Sequence, residues 1–228
     1  MTTVLGLDTA TPATVVAVLR GDGVAFEARH DPEPGERPGH ATRLLGLVDD
    51  VLAAAEVELA DVGRIAVGVG PGSFTGLRIG IASARGLAQG TGAELVGVST
   101  LRALAENAPL AGRPVLAAID ARRGEVFAAA WMGETEMMAP AALAPDAFAS
   151  AISEMEEAPP LAIGDGALRF REDLEPAGAQ IPPDGDPLHR VSARHVCRLG
   201  AGAEPAGIDA VVPDYLRPPD AEVRTRTP

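Results

Sequence analysis

Lysine is missing from this 228-residue sequence, and all nineteen basic side chains are arginine. That absence removes the group with which a Walker-type loop reaches phosphates, and with it Schiff-base and lysine general-base chemistry. Cysteine occurs once, at Cys197, which excludes an internal disulfide and fits a small buried residue in a reducing compartment. Aromatic residues make up 3%, too few for a base-stacking platform. No run approaches the roughly 20 apolar residues of a bilayer span. The first residues read as a strand rather than a basic-then-apolar leader, so a cytoplasmic protein with no membrane partner is expected. Thirty-two acidic residues outnumber the basic ones and give a net charge of −13. A field of that sign repels a nucleic-acid backbone, so direct, tight RNA binding by this chain alone is not expected. The four histidines, His30, His40, His189 and His195, are scattered among polar neighbours, and only His195 with Cys197 comes near a ligand spacing. No metal site and no cofactor are expected from them.

What is present is a globular α/β pattern, 46% hydrophobic, long enough for one large or two small domains. Residues 4–7, 15–19 and 24–28 read as three successive strands, the last two joined by the turn residues Gly21-Asp22-Gly23. Over residues 39–57 the pattern becomes helical, with Leu44, Leu47, Val48, Val51, Leu52 and Ala55 on one stripe and Arg43, Asp49, Asp50 and Glu56 elsewhere. A strand at 94–98 and a helix at 100–107 capped by Ser99 complete a first lobe, residues 1–107. A second lobe, residues 108–218, opens with strands at 115–119 and 126–131 around Asp120-Ala121-Arg122-Arg123-Gly124-Glu125, a faint echo of the first hairpin. A helix at 145–153, a strand at 161–163 and a helix at 192–200 capped by Ser192 follow, with 172–188 irregular and 219–228 a disordered tail.

The densest segment is Gly70-Pro71-Gly72-Ser73-Phe74-Thr75-Gly76-Leu77-Arg78-Ile79-Gly80. It follows a buried-strand pattern at 65–69, breaks at Pro71 and restarts as a helix that Ser73 can cap. Phe74, Leu77, Ile81, Ala84 and Ala88 recur at helical steps, while Gly76, Gly80, Ala84 and Ala88 form a small-residue ridge at four-residue spacing. An interior glycine costs a helix roughly 1 kcal/mol relative to alanine, so the ridge implies a close contact. That contact is either a partner or the chain's own sheet.

Four segments together resemble the bacterial TsaB (YeaZ) family: Leu5-Gly6-Leu7-Asp8-Thr9-Ala10-Thr11, Gly70 to Gly80, Asp120 to Val126, and Val212-Pro213-Asp214-Tyr215-Leu216-Arg217. The resemblance implies an α/β protein of two ribonuclease H-like lobes in the actin-like, hexokinase-like ATPase superfold, with mixed sheets and covering helices. It further implies a non-catalytic subunit for placing threonylcarbamoyl on the tRNA adenosine next to the anticodon. Its partners would be a catalytic TsaD-type paralogue and a TsaE-type ATPase, with a homodimer when alone. The catalytic paralogue carries a His-x-x-x-His metal motif where this chain has Thr100-Leu101-Arg102-Ala103-Leu104. The partner-facing candidates are Arg43, Leu44, Leu47 and Val51 of the first helix and Phe74, Gly76, Leu77, Arg78, Gly80, Ile81 and Ala84 of the second, a face that would build a four-helix contact.

In the superfold an aspartate at the first hairpin helps hold a metal-bound nucleotide's phosphates. Asp8, with Thr9 and Thr11 beside it and Asp120 facing it, is therefore the nucleotide-binding candidate. An aspartate at a strand end also serves simply to cap its own turn. A small-molecule kinase or ATPase is the competing function, and a metallopeptidase is a third.

Overall fold

The computed structural model describes residues 2–33, 35–109, 112–155 and 158–217. The tail expected at 219–228 lies outside the described residues. Strands β1 (Val4–Asp8), β2 (Thr14–Leu19) and β3 (Ala25–His30) form the expected antiparallel meander. Helix α1 (His40–Ala55) then crosses to β4 (Arg64–Gly70), which pairs parallel to β1. Helix α2 (Phe74–Thr91) leads to β5 (Glu94–Ser99), parallel to β4, and the five-stranded order is β3-β2-β1-β4-β5. Ser73 caps α2 by accepting from the Gly76 amide at 3.3 Å, and Ser99 does the same for α3 (Thr100–Ala105) with the Arg102 amide.

The second sheet repeats this wiring on a smaller scale. Strands β6 (Val115–Arg122), β7 (Glu125–Met132) and β8 (Thr135–Leu143) form a meander. After α4 (Pro145–Ser153), β9 (Leu161–Ile163) pairs parallel to β6, giving the order β8-β7-β6-β9. The sequence pattern does not announce β8. Its alanines lack alternation, and Pro140 is tolerated because the strand lies at the sheet edge, where one face of the backbone needs no ladder partner. The irregular stretch at 172–188 is entered by two short helices, α5 (Asp165–Arg169) and α6 (Arg171–Leu174), and ends in a 3₁₀ turn at Pro187–His189.

Helix α7 (Ala193–Gly202), late in the chain, packs back on β1, β2 and β4 of the first sheet. Ser192 stands at its N-cap, but its side chain makes no capping bond. The Glu27 carboxylate of β3 accepts from the Ala193 amide at 2.6 Å and from the Ser192 hydroxyl at 2.9 Å, so an acidic side chain from a strand satisfies the helix start. Two apolar layers result. Leu5, Leu7, Val16, Val18, Ile65 and Val67 meet α1 and α2 on one face. On the other, Val4, Val15 and Ala66 join α3, α7 and the second sheet's Val115, Ala117 and Ile119 in one continuous cluster. Cys197 is fully buried there, as expected. His40 and His189, in contrast, are buried rather than set in polar surroundings. His40 Nδ1 lies 2.8 Å from the Thr14 hydroxyl, and His189 Nδ1 accepts from the Gly164 amide at 3.1 Å. No helix of the described residues is long and apolar enough to cross a membrane.

Candidate functional site

The loop between β1 and β2 seats itself on the start of α2. The Thr9 hydroxyl donates to the Gly76 carbonyl at 2.7 Å, and the Ser73 amide donates to the Ala10 carbonyl at 2.7 Å. A Cβ at Gly76 would press into the Thr9 carbonyl oxygen, and one at Gly80 into the Thr9 hydroxyl. Gly76, Leu77, Gly80, Ile81, Ala84 and Ala88 are all buried against the chain's own sheet. This corrects the partner-facing reading of that ridge: its close contact is the β1–β2 loop. Leu44 and Val51 are likewise core residues of the chain itself, and Leu47 is half-buried beside them. Only Arg43, Phe74 and Arg78 of the eleven candidates are exposed.

The exposed sides of α1 and α2 carry a different set. Leu45 is 56% exposed, and Gly46, Asp49, Asp50, Ala53 and Ala54 share its side of α1. On α2 the exposed residues include Ala82, Gly86 and Gly90. Gly46, Gly86 and Gly90 have open space where a Cβ would stand, so nothing among the described residues requires glycine there. At the start of α2, Phe74 (39% exposed) stacks on Tyr215 (38%) with ring centroids 5.2 Å apart. Arg78 lies 3.8 Å over the Phe74 ring and donates through Nε to the Tyr215 hydroxyl at 3.1 Å. Of this set Phe74 and Arg78 were among the sequence candidates, whereas Leu45, Gly46, Gly86 and Gly90 were missed because they fall off the apolar stripe that marks a helix's core side, and Tyr215 because it comes from a distant segment.

Tyr215 arrives on a segment that follows α7 along the edge of α2. The Ala206 amide donates to the Leu95 carbonyl at 3.0 Å, Arg85 donates to the Asp209 and Val211 carbonyls, and the Asp214 amide donates to the Val69 carbonyl at 2.8 Å. The segment ends at Arg217, which pairs with Glu125 at 2.7 Å and donates to the Ala121 carbonyl of the second sheet.

Between the two sheets lies a cleft of about 520 Å³, lined by Thr11, Asp120, Arg122, Arg123, Asp165 and the segment from Asp214 to Arg217 among others. The four nucleotide-binding candidates divide here. Thr11 and Asp120 line the cleft, but Asp8 and Thr9 do not. Asp8 is fully buried; its two oxygens accept from the Ala10 amide at 2.8 Å and the Thr100 hydroxyl at 2.7 Å. Burial raises its carboxyl to about 6, against the opposing pull of those two bonds. An aspartate so enclosed caps its turn and holds α3; it presents no oxygen to a phosphate. Asp120 accepts from Arg169 at 2.7 Å and from the Arg122 amide at 2.8 Å, while its own amide donates to Asp165. Burial, then the adjacent Asp120, pushes the Asp165 carboxyl upward. Of the cleft's carboxylates, Asp120 is already engaged by Arg169 and Arg122. Among the described residues, no group of three His, Cys, Asp or Glu side chains is placed to hold a metal ion.

Comparison with known proteins bears on family and fold. The family model described as "TsaD: tRNA N6-adenosine threonylcarbamoyltransferase" matches residues 32–164. The Escherichia coli tRNA threonylcarbamoyladenosine biosynthesis protein TsaB is 46% identical over 126 residues, which take in 54% of this chain and 52% of that one. That match thus spans about half of the relative's length. The structure of YeaZ from Pseudomonas aeruginosa superposes with a TM-score of 0.80 at 32% identity, covering 95% of this chain and 100% of that one. A ROK hexokinase from Thermus thermophilus, at 13% identity, TM-score 0.50 and coverage of 87% and 99%, shares the fold alone. With the YeaZ match running the length of both chains and the family model taking in more than half of this one, the chain belongs to the TsaB/YeaZ family of tRNA threonylcarbamoyladenosine biosynthesis proteins.

Proposed function

We propose that this chain is a non-catalytic subunit that pairs, through the outer face of α1 and α2, with a catalytic TsaD-type paralogue. The pair transfers threonylcarbamoyl to the tRNA adenosine next to the anticodon, and a TsaE-type ATPase acts on the pair. The observation that carries the reading is the set of open glycines, Gly46, Gly86 and Gly90, on that face. Each costs its helix up to about 1 kcal/mol relative to alanine and is offset by no contact among the described residues. A partner helix lying close along both axes supplies the compensating contact, and Leu45 and the Phe74–Tyr215–Arg78 cluster give it apolar and cationic anchors.

The non-catalytic part rests on Thr100 and Leu104. They stand where the paralogue carries its two histidines; one is bonded to Asp8, and the other is buried in the core. The kinase or ATPase alternative loses its anchor because Asp8 is enclosed. In solution the same outer face supports a homodimer of this chain when the paralogue is absent.

Size-exclusion chromatography with light scattering tests this on the chain alone and mixed with the catalytic paralogue of the same genome. A homodimer that exchanges into a heterodimer is expected. Gly86→Arg, at an open position, should abolish both while leaving the circular dichroism spectrum and thermal midpoint intact. Gly80→Arg is unsuitable because it would collide with Thr9 inside the chain. A monomer indifferent to the paralogue would overturn the proposal.

A further inference from the structure

A groove of about 730 Å³ runs between β3 and α7, on the side of the first sheet opposite α1 and α2. Its lining includes Arg29, Arg190, Arg194, His195 and Arg198 against a single carboxylate, Glu27. In a chain of net charge −13 that balance is local and against the trend. The cleft between the sheets, by contrast, sets Arg122, Arg123 and Arg217 against Asp120, Asp165 and Asp214. Glu27 does not neutralise the groove as a whole, since its carboxylate is held by the start of α7 and lies 3.5 Å from Arg194. Arg29 is tied to Asp31 and to the Val191 carbonyl, and so forms a wall. Arg190 and Arg198 are exposed, and among the described residues neither guanidinium has a carboxylate within salt-bridge distance. His195 adds a buried Nδ1 with no hydrogen-bond partner.

We propose that this groove seats the phosphate backbone of an RNA strand. Arg194 and Arg198 lie one helical turn apart, about 6 Å along the axis, so both forks reach the same strand while Arg190 approaches from the facing loop. A single small phosphate is a poorer fit. The α7 amide end, the place where one phosphate would be cradled, is already filled by Glu27. The arginines instead line one open trough together. Among the described residues no Phe, Tyr or Trp lines it, so the contact reads backbone and not base. The repulsive field of the whole chain means that the seat works once another subunit holds the RNA. That the RNA is the tRNA rests on the function proposed above; the charge of the groove does not.

The test uses the assembled pair of this chain with the catalytic paralogue and measures binding of an unmodified tRNA transcript from 50 to 200 mM salt. Removing one arginine that neutralises a phosphate flattens the slope of log affinity against log salt by about 0.7 to 0.9. Arg190→Ala with Arg198→Ala should therefore flatten it by about 1.4 to 1.8, with pair formation on the sizing column unchanged. Arg37→Ala, away from the groove lining, controls for net charge and should leave the slope as it is. An unchanged slope in the double variant, or an equal flattening in Arg37→Ala, would overturn the proposal. Failure of the double variant to pair would make the groove a protein-docking surface and overturn the proposal as well. If no pair forms at all, the functional reading fails and the seat, which works only within that pair, falls with it; a pair that forms and binds with an unchanged slope in the double variant overturns the seat alone.

Discussion

Replacing Asp8 by asparagine separates an aspartate that holds the fold from one that holds a ligand. The carboxyl is fully buried, and burial lifts it from 3.8 to about 6. In the unfolded chain it ionises near the lower value. Between the two the native state keeps a proton that the unfolded state has released, so stability falls as pH rises through that window. The gap of about two pH units corresponds to about 3 kcal/mol, present in full below 3.8 and lost above about 6. Asparagine has the same shape, keeps an acceptor for the Ala10 amide and carries no charge at any pH. Relative to the parent, Asp8→Asn should thus gain up to about 3 kcal/mol between about pH 3.5 and 7.5, or roughly 6–12 °C in thermal midpoint for a chain of this size. Scanning calorimetry of both proteins at the two pH values reads this directly. A difference that stays flat with pH, or that turns against the variant at the higher value, would refute the reasoning. The second outcome would mean that the native carboxylate is favoured as an anion, as a group facing a cation would be.

Gly76→Ala should lower the thermal midpoint by roughly 4–8 °C, an overpacking cost of about 2 kcal/mol against the Thr9 carbonyl, whereas Gly86→Ala in open space should raise stability by up to about 1 kcal/mol. Equal effects from the two would show that α2 is not seated as described. Burial pushes the Cys197 thiol up to about 12, so a thiol reagent should label the native protein negligibly at pH 8 and stoichiometrically in denaturant; rapid native labelling would contradict the packing of α7 on β1. Arg217→Ala removes the half-exposed pair with Glu125 and the bond to the Ala121 carbonyl, at a cost of about 1 kcal/mol. Hydrogen exchange in residues 206–217 should accelerate in that variant, and unchanged protection would mean that Arg217 does not anchor the segment.

What the sequence made legible was whatever depends on near neighbours. The first meander, the stripe of α1 and the caps Ser73 and Ser99 follow from alternation, helical spacing and side chains that bond within three residues. The ridge of α2 was equally visible, but the identity of its contact was not. Gly76 and Gly80 look the same beneath a partner helix as beneath Thr9, and only the return of the chain places Thr9 there. The enclosure of Asp8 depends on Thr100, ninety-two positions away, and the start of α7 on Glu27, more than one hundred and sixty away. A usable signal for the outer face did exist. Gly46 sits beside polar residues off the apolar stripe of α1, where glycine has no packing role within a single helix.

The segment from Ala206 to Arg217 gives the molecule a mechanical character that the two-sheet plan alone would not. It is tacked to β5, β4 and α2 along its course and then fastened to the β6–β7 turn. Two halves joined by a bare linker would be free to hinge; here a stitched seam crosses the gap and carries Tyr215 into its stack on Phe74. Opening the cleft means unpicking that seam at the edge of the surface offered to a partner. A partner seated on the proposed face would therefore meet a braced plate, with little freedom left to lose on contact, and the firmness of that face is set by a thread that ends on the other half.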